Sequence, residues 1–143
     1  VLSTAIQIGT RESRMIDGEY CLTQEDLKNC VHFPDGIAAG NYDIDIHNPE
    51  GSGTSHYFFA PGTWYTIPYR CLLPVGTKNL LVAGRCISST HEAQASYRIM
   101  PIVCCIGEAA GTAAGVACRA HTSLRGVDVE QVRAILKAGG API

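Results

Sequence analysis

The sequence predicts an α+β fold, an α/β-type arrangement in which strands dominate the first part and helices the second. Period-two alternation and aromatic or β-branched runs recur before residue 74. From Pro101 to Cys118 the only charged residue is Glu108, and small residues recur at helical spacing. Pro74 marks the change of character, so two units are expected, 1–74 and 75–143.

Taken in order, residues 4–8 alternate weakly and read as a strand ended by Gly9. Residues 11–16 continue as a second extended segment. Thr23 is an N-cap with Asp26 three residues on, a T-x-x-D capping box, and the helix it opens ends near Cys30. Pro34 to Gly40 is expected as another helical turn, closed by Gly40. Asp43-Ile44-Asp45-Ile46-His47 alternates with period two and predicts a half-buried strand. Residues 48–56 are rich in turn formers and read as a loop. Trp64 to Ile67 predicts a strand, and Pro68 and Pro74 confine the residues after them to turns and edges. The continuous apolar run Leu80-Leu81-Val82-Ala83 predicts a central strand stopped by Gly84. A polar loop then leads to a long helix from Met100 or Pro101 to Ala120. The last helix begins at Asp128 in a D-x-x-Q box and ends at Gly139-Gly140.

Composition bounds the function. The chain has 143 residues, enough for one domain with a real core. It is 46% hydrophobic and 17% charged with a net charge of -2, so nothing invites nucleic acid. Seven cysteines without a CxxC pair argue against a disulfide framework or a zinc site, and buried, reduced thiols are expected. The exception is Cys86, in the Gly84 turn, where exposure would make it reactive. No HxH or HxxxH spacing announces a metal. Reduced thiols without a signal peptide imply a cytoplasmic setting. A start at Val1, directly before a strand-like run, implies a piece of a longer protein.

Gly107, Gly111 and Gly115 fall on one helical face with Ala110 and Ala114 beside them. Such a bald stripe lets backbone approach closely. The length also suits a membrane span. Glu108 in mid-segment, Pro101 at its start and weak mean hydropathy favour a soluble helix instead, with the stripe facing a buried contact and Glu108 off it.

Several motifs together carry a resemblance. They are Ile8-Gly9-Thr10-Arg11-Glu12-Ser13-Arg14, Gly18-Glu19-Tyr20 with Leu22 to Asp26, and Tyr42 to His47. Ile67-Pro68-Tyr69-Arg70, Leu72-Leu73-Pro74 and Asn79 to Arg85 come next, and Gly107-Glu108-Ala109-Ala110-Gly111-Thr112-Ala113-Ala114 closes the set. In this order they cover nearly the whole chain, which resembles the C-terminal half of the FAD-dependent oxidoreductases related to glutathione-reductase-type flavoproteins.

The resemblance implies a substrate-domain segment followed by the last strand and long helix of a Rossmann-like FAD domain. It implies FAD as cofactor, a small-molecule substrate, and flavin contacts from Ala83, Gly84, Arg85, Arg98, Met100, Gly107, Ala110 and Gly111. The start of the long helix, with Arg98 before it, would favour charge at the flavin edge. Arg11, Arg14, His47 and His91 are the catalytic candidates. Each has a plainer reading. One of Arg11 and Arg14 is solvent-facing and the other pairs with Glu12 or Glu19. His47 is structural, and His91 makes a loop hydrogen bond to Ser88 or Thr90. Tyr69 and Arg70 are either a rigid crossing or a pocket wall. The sequence departs from the family in having no GxGxxG to cradle a pyrophosphate; Gly51-Ser52-Gly53 lacks the third glycine and the helix. This leaves half of a cofactor site, completed by an N-terminal FAD-binding half. The rival expectation is a self-associating module without cofactor.

Overall fold

A computed structural model describes residues 3, 4, 6, 12, 14–47 and 53–143. Arg11 and most of the strand expected at 4–8 lie outside the described residues, as does most of the loop expected at 48–56. Arg14 to Asp17 carries no regular structure.

The architecture is α+β, with four helices and two separate two-stranded antiparallel sheets among the described residues. Helix α1 is Gln24–Lys28. Its capping box is complete: Thr23 Oγ1 accepts from the Asp26 amide, and the Asp26 carboxylate accepts from the Thr23 amide at 2.9 Å. Strand β1, Gly36–Gly40, pairs with β4, Tyr65–Pro68. Strand β2, Ile44–His47, pairs with β3, Thr54–Tyr57, placing Asp45 opposite His56 and His47 opposite Thr54.

Two of these strands correct the sequence reading. Gly36–Gly40 is not a helical turn. At Gly40 a Cβ would stand 2.7 Å from both Ile102 Cδ1 and the Tyr65 hydroxyl. Bare backbone is needed there for strand, helix and tyrosine to meet, and that contact overrides a local sequence compatible with a helix. Thr54–Tyr57 is a strand rather than a loop, held by its ladder to β2 although every residue in it is exposed.

After β4 comes a short 3₁₀ turn, Tyr69–Leu72. Arg70 grips Asp35 through Nε and Nη2, at 2.9 and 3.2 Å, and lies over the Tyr20 ring. The Tyr69 hydroxyl donates to the Leu124 carbonyl at 2.9 Å. The central strand expected at Leu80–Ala83 is absent: Leu80 is exposed, and the Val82 amide bonds the Leu72 carbonyl outside any ladder. Four apolar residues without a neighbouring strand cannot satisfy their backbone as a sheet.

Helix α2, His91–Tyr97, occupies what the sequence presented as a loop. Thr90 caps it, and Ala93 to Tyr97 are all buried, polar letters included. Helix α3 spans Met100–Ala120 with Pro101 in its first turn, as expected. It ends at His121, which adopts the left-handed conformation at φ 51°. Helix α4, Val129–Ala138, starts after the Asp128 cap, whose carboxylate accepts from the Glu130 and Gln131 amides.

One core unites these elements. Ile102, Ile106, Ala109, Ala113, Val116 and Ala117 are the buried face of α3, which packs on β1 and α4. The glycine stripe is the opposite face. Gly107 and Gly111 are exposed, and a Cβ on either would meet nothing within 4 Å. The expected buried contact of the stripe is therefore not made among the described residues. Glycine spacing defines a face but not its partner, whereas the large side chains selected the in-chain contact. By length and composition α3 would also suffice to cross a membrane.

Cysteine burial is corrected too. Among the seven free thiols only Cys71 is buried; Cys21, Cys104 and Cys118 are exposed, and Cys30, Cys86 and Cys105 are half-buried. Burial pushes the Cys71 thiol up to about 12. Cys86 rests 3.8 Å from the Ala83 carbonyl.

Candidate functional site

The break between α2 and α3 brings three segments together. Arg98 ends α2, Ile99 begins α3, and β2 runs alongside α2. A cleft of about 460 Å³ opens there, lined by Tyr42, Asp45, His47, Arg85, Arg98 and Ile99. A second, of about 440 Å³, shares Tyr42 and Ile99 and continues past Asn41, Asp43, Phe58 and Phe59.

The Arg98 side chain is only 12% exposed. Its Nη2 donates to the Asp45 carbonyl at 2.9 Å and stands 3.7 Å from the Asp45 carboxylate. The guanidinium is thus fixed between β2 and the start of α3, where no side chain caps the helix. Pro101 has no N–H, so the first turn offers the amides of Met100 and Ile102, and no side chain of the cap accepts from them.

Arg85, exposed, lines the same cleft next to Gly84, whose φ of 102° belongs to glycine and whose missing Cβ would meet no described residue within 4 Å. The Tyr97 hydroxyl reaches the Arg85 carbonyl at 3.3 Å and the Ser89 hydroxyl at 2.8 Å, anchoring the backbone at this rim.

The hairpin β2–β3 supplies the third wall. Alternation puts Asp43, Asp45 and His47 on one face, with His56 across from Asp45 and Thr54 across from His47. His56 bridges Asp43 through Nδ1 at 2.7 Å and Thr54 Oγ1 through Nε2 at 2.8 Å. His47 Nε2 is 3.5 Å from Asp45, and its side chain is 55% exposed. Asp45 Oδ1 is buried without a hydrogen bond, with His56 Nε2 at 3.6 Å.

Of the expected site residues, His47, Arg85 and Arg98 share this cleft, and Ala83 and Gly84 adjoin it. Met100 stands at the start of α3, 81% exposed. Gly107 and Gly111 lie on the open face of the helix, with Ala110 half-buried beside it. His91 is separate: it occupies the first position of α2 and bonds Glu12 through Nδ1 at 2.5 Å, not Ser88 or Thr90. Arg14 is exposed, and the acids expected to pair with it are engaged elsewhere, Glu12 with His91 and Glu19 with Arg125.

Tyr42, Asp43, Asp45, His56 and Phe58 were not singled out from sequence. For the aspartates the signal was present, since the D-I-D-I-H alternation already places them beside His47. His56 and Phe58 become visible only through the register of β3. Among the described residues, no three His, Cys, Asp or Glu side chains are placed to share a metal ion.

Residues 1–136 match the family described as FAD dependent oxidoreductase. No curated protein and no solved structure matches the chain. A match over nearly the whole length, in a mixed α/β chain, establishes kinship: the chain belongs to the FAD-dependent oxidoreductase family.

Proposed function

We propose that this chain supplies the flavin-edge half of an FAD-dependent oxidoreductase together with a wall of its substrate pocket. The observation that carries the reading is the uncapped start of α3 beside the fixed cation of Arg98, opening into a cleft. FAD, when bound, supplies two-electron redox chemistry, and its reduced ring gathers negative charge at one edge. Arg98 and the first turn of α3 are the groups that would favour that charge. Arg85 and the open backbone at Gly84 would hold the rim. The exposed Gly107 and Gly111 would receive the remainder of the cofactor domain. His47, exposed at the cleft, is the proposed proton-transfer group.

These residues fit one end of the cofactor only. No GxGxxG accompanies them, so the pyrophosphate cradle must come from outside these 143 residues. The proposed partner is a nucleotide-binding N-terminal half. The second reading, a self-associating module without cofactor, draws on the open helix face and the exposed Leu80 and Met100.

The test is reconstitution. FAD is added to the purified chain, alone and with a GxGxxG-bearing half from this family, and the visible spectrum is read after gel filtration. Flavin should be retained by the pair and not by the chain alone. In the pair, Arg98→Gln should lower the flavin reduction potential. A colourless pair overturns the reading. An unchanged potential at unchanged FAD affinity removes Arg98 from the site.

A further inference from the structure

We propose that the two joined clefts bind a neutral, polyhydroxylated ring, a sugar or sugar-like ligand, stacked on Phe58 and Tyr42 and hydrogen-bonded by the polar face of the β2–β3 hairpin. The proposal deepens the substrate-pocket part of the function above and rests on that reading for its place in catalysis. The binding itself requires no flavin.

Phe58 is 74% exposed, yet its ring is held: it stacks on His56 with centroids 5.7 Å apart and an 8° interplanar angle. His56 is held in turn by Asp43 and Thr54. Phe59, in the same cleft, is braced edge-on by Tyr57 and tilted against Tyr65. Tyr42 is exposed, and its carbonyl is anchored by the Ser96 hydroxyl. An oriented aromatic surface left open to solvent, in a cleft, is a platform for the face of another ring.

The polar groups decide which ring. Asp43 and Asp45 bring two carboxylates to the lining and Arg85 and Arg98 two guanidiniums, with Arg98 and Asp45 already adjacent, so formal charge summed over the two clefts balances. An anion would meet the carboxylates and a cation the guanidiniums. A purely apolar ring would desolvate Asn41 and the Asp43 oxygen that His56 does not hold, giving neither a new partner. A ring with a hydroxyl on most carbons presents CH groups to the aromatic faces. It also donates to the carboxylates and accepts from the Asn41 amide and from the guanidiniums.

Saturation-transfer NMR on the chain without FAD provides the test, with methyl β-glucoside, p-cresol and succinate as separate probes. The glucoside should show transfer. Phe58→Ala and Asp43→Asn should each weaken its binding roughly tenfold, the loss of a stacking face or of a charged hydrogen bond. Phe58 and Asp43 stand outside the core, so unchanged melting of both variants keeps the comparison clean. Transfer to p-cresol or succinate in place of the glucoside overturns the proposal. So does no transfer to any probe, or glucoside binding indifferent to both substitutions. Because FAD is absent, these outcomes are independent of the flavin-edge reading, which stands or falls on reconstitution and the Arg98→Gln potential.

Discussion

The two faces of α3 were written by different residues and do different things. Ile102, Ile106, Ala109, Ala113 and Val116 face inward and are buried. Gly107 and Gly111, interleaved with them in sequence, face outward, and a Cβ on either would meet no described residue within 4 Å. Both faces obey helical spacing equally well. The difference is that burying a large side chain releases free energy in proportion to area, so its partner must exist within the folding chain. A glycine stripe gains nothing by burial in itself. It only permits a close approach, and whatever approaches need not belong to the same chain.

The largest expected effect lies on the inward face. Ile106 is fully buried, so Ile106→Ala should destabilise by about 3 kcal/mol through lost contacts and a residual cavity. Denaturant unfolding measures it, and a change below about 1 kcal/mol would show that this face is loosely covered. Ala113, also fully buried, probes the same face from the other direction. Ala113→Leu should cost about 2 kcal/mol by overpacking against neighbours that have no room to yield.

Thiols sharpen the contrast. Cys104 and Cys118 are exposed on α3, whereas Cys71 is buried in the core. A thiol reagent should label the first two in the native protein and Cys71 only on unfolding. The same burial gives an alkaline limb. The Cys71 thiol has an ordinary value of 9.0 and is pushed up to about 12 in the fold, so the unfolded chain loses its proton first. Stability is complete below pH 9 and falls as pH rises toward 12, by about 1.4 kcal/mol per pH unit for this group. Tyr69, raised from 10.0 to about 12 by burial, adds a second contribution above pH 10. Cys71→Ala should flatten the limb between pH 9 and 10. An unaltered slope there would assign the loss to other groups.

The parts of the fold legible in sequence were those whose determinants are local. Thr23 with Asp26, and Asp128 with Gln131, fixed two helix starts because a cap needs only residues within one turn. Asp43 to His47 announced its strand by alternation, and Tyr65 to Ile67 by aromatic and β-branched residues. The misread elements depend on distant partners. Gly36–Gly40 became a strand because β4 and α3 close upon it. His91–Tyr97 became a helix although Gln94 and Ser96 look like loop residues, because both are buried within the fold. Leu80 to Ala83 had a strand composition with no ladder to join. The candidate site divides in the same way. His47, Arg85 and Arg98 were visible, but their meeting with Asp43, His56 and Phe58 required the register of a hairpin whose second strand is entirely exposed.

The smallest effect belongs to the outward face, and it separates the two faces most sharply. Leucine enters at Gly111 as it does at Ala113, on the same helix and two positions away. At Gly111 no atom of the described residues lies within 4 Å of the incoming Cβ, so no overpacking cost is expected. Replacing glycine in a helix interior recovers backbone entropy, a gain of roughly 0.8 kcal/mol, offset in part by an exposed apolar side chain. The stability of the chain should therefore stay within about 1 kcal/mol of wild type, on the favourable side. Association with a nucleotide-binding half should be impaired, because the added isobutyl group stands where that surface must approach. The decisive result is the pairing of the two measurements. Loss of several kcal/mol in the isolated chain would mean that the stripe is covered from within, and unchanged reconstitution would mean that no partner uses it.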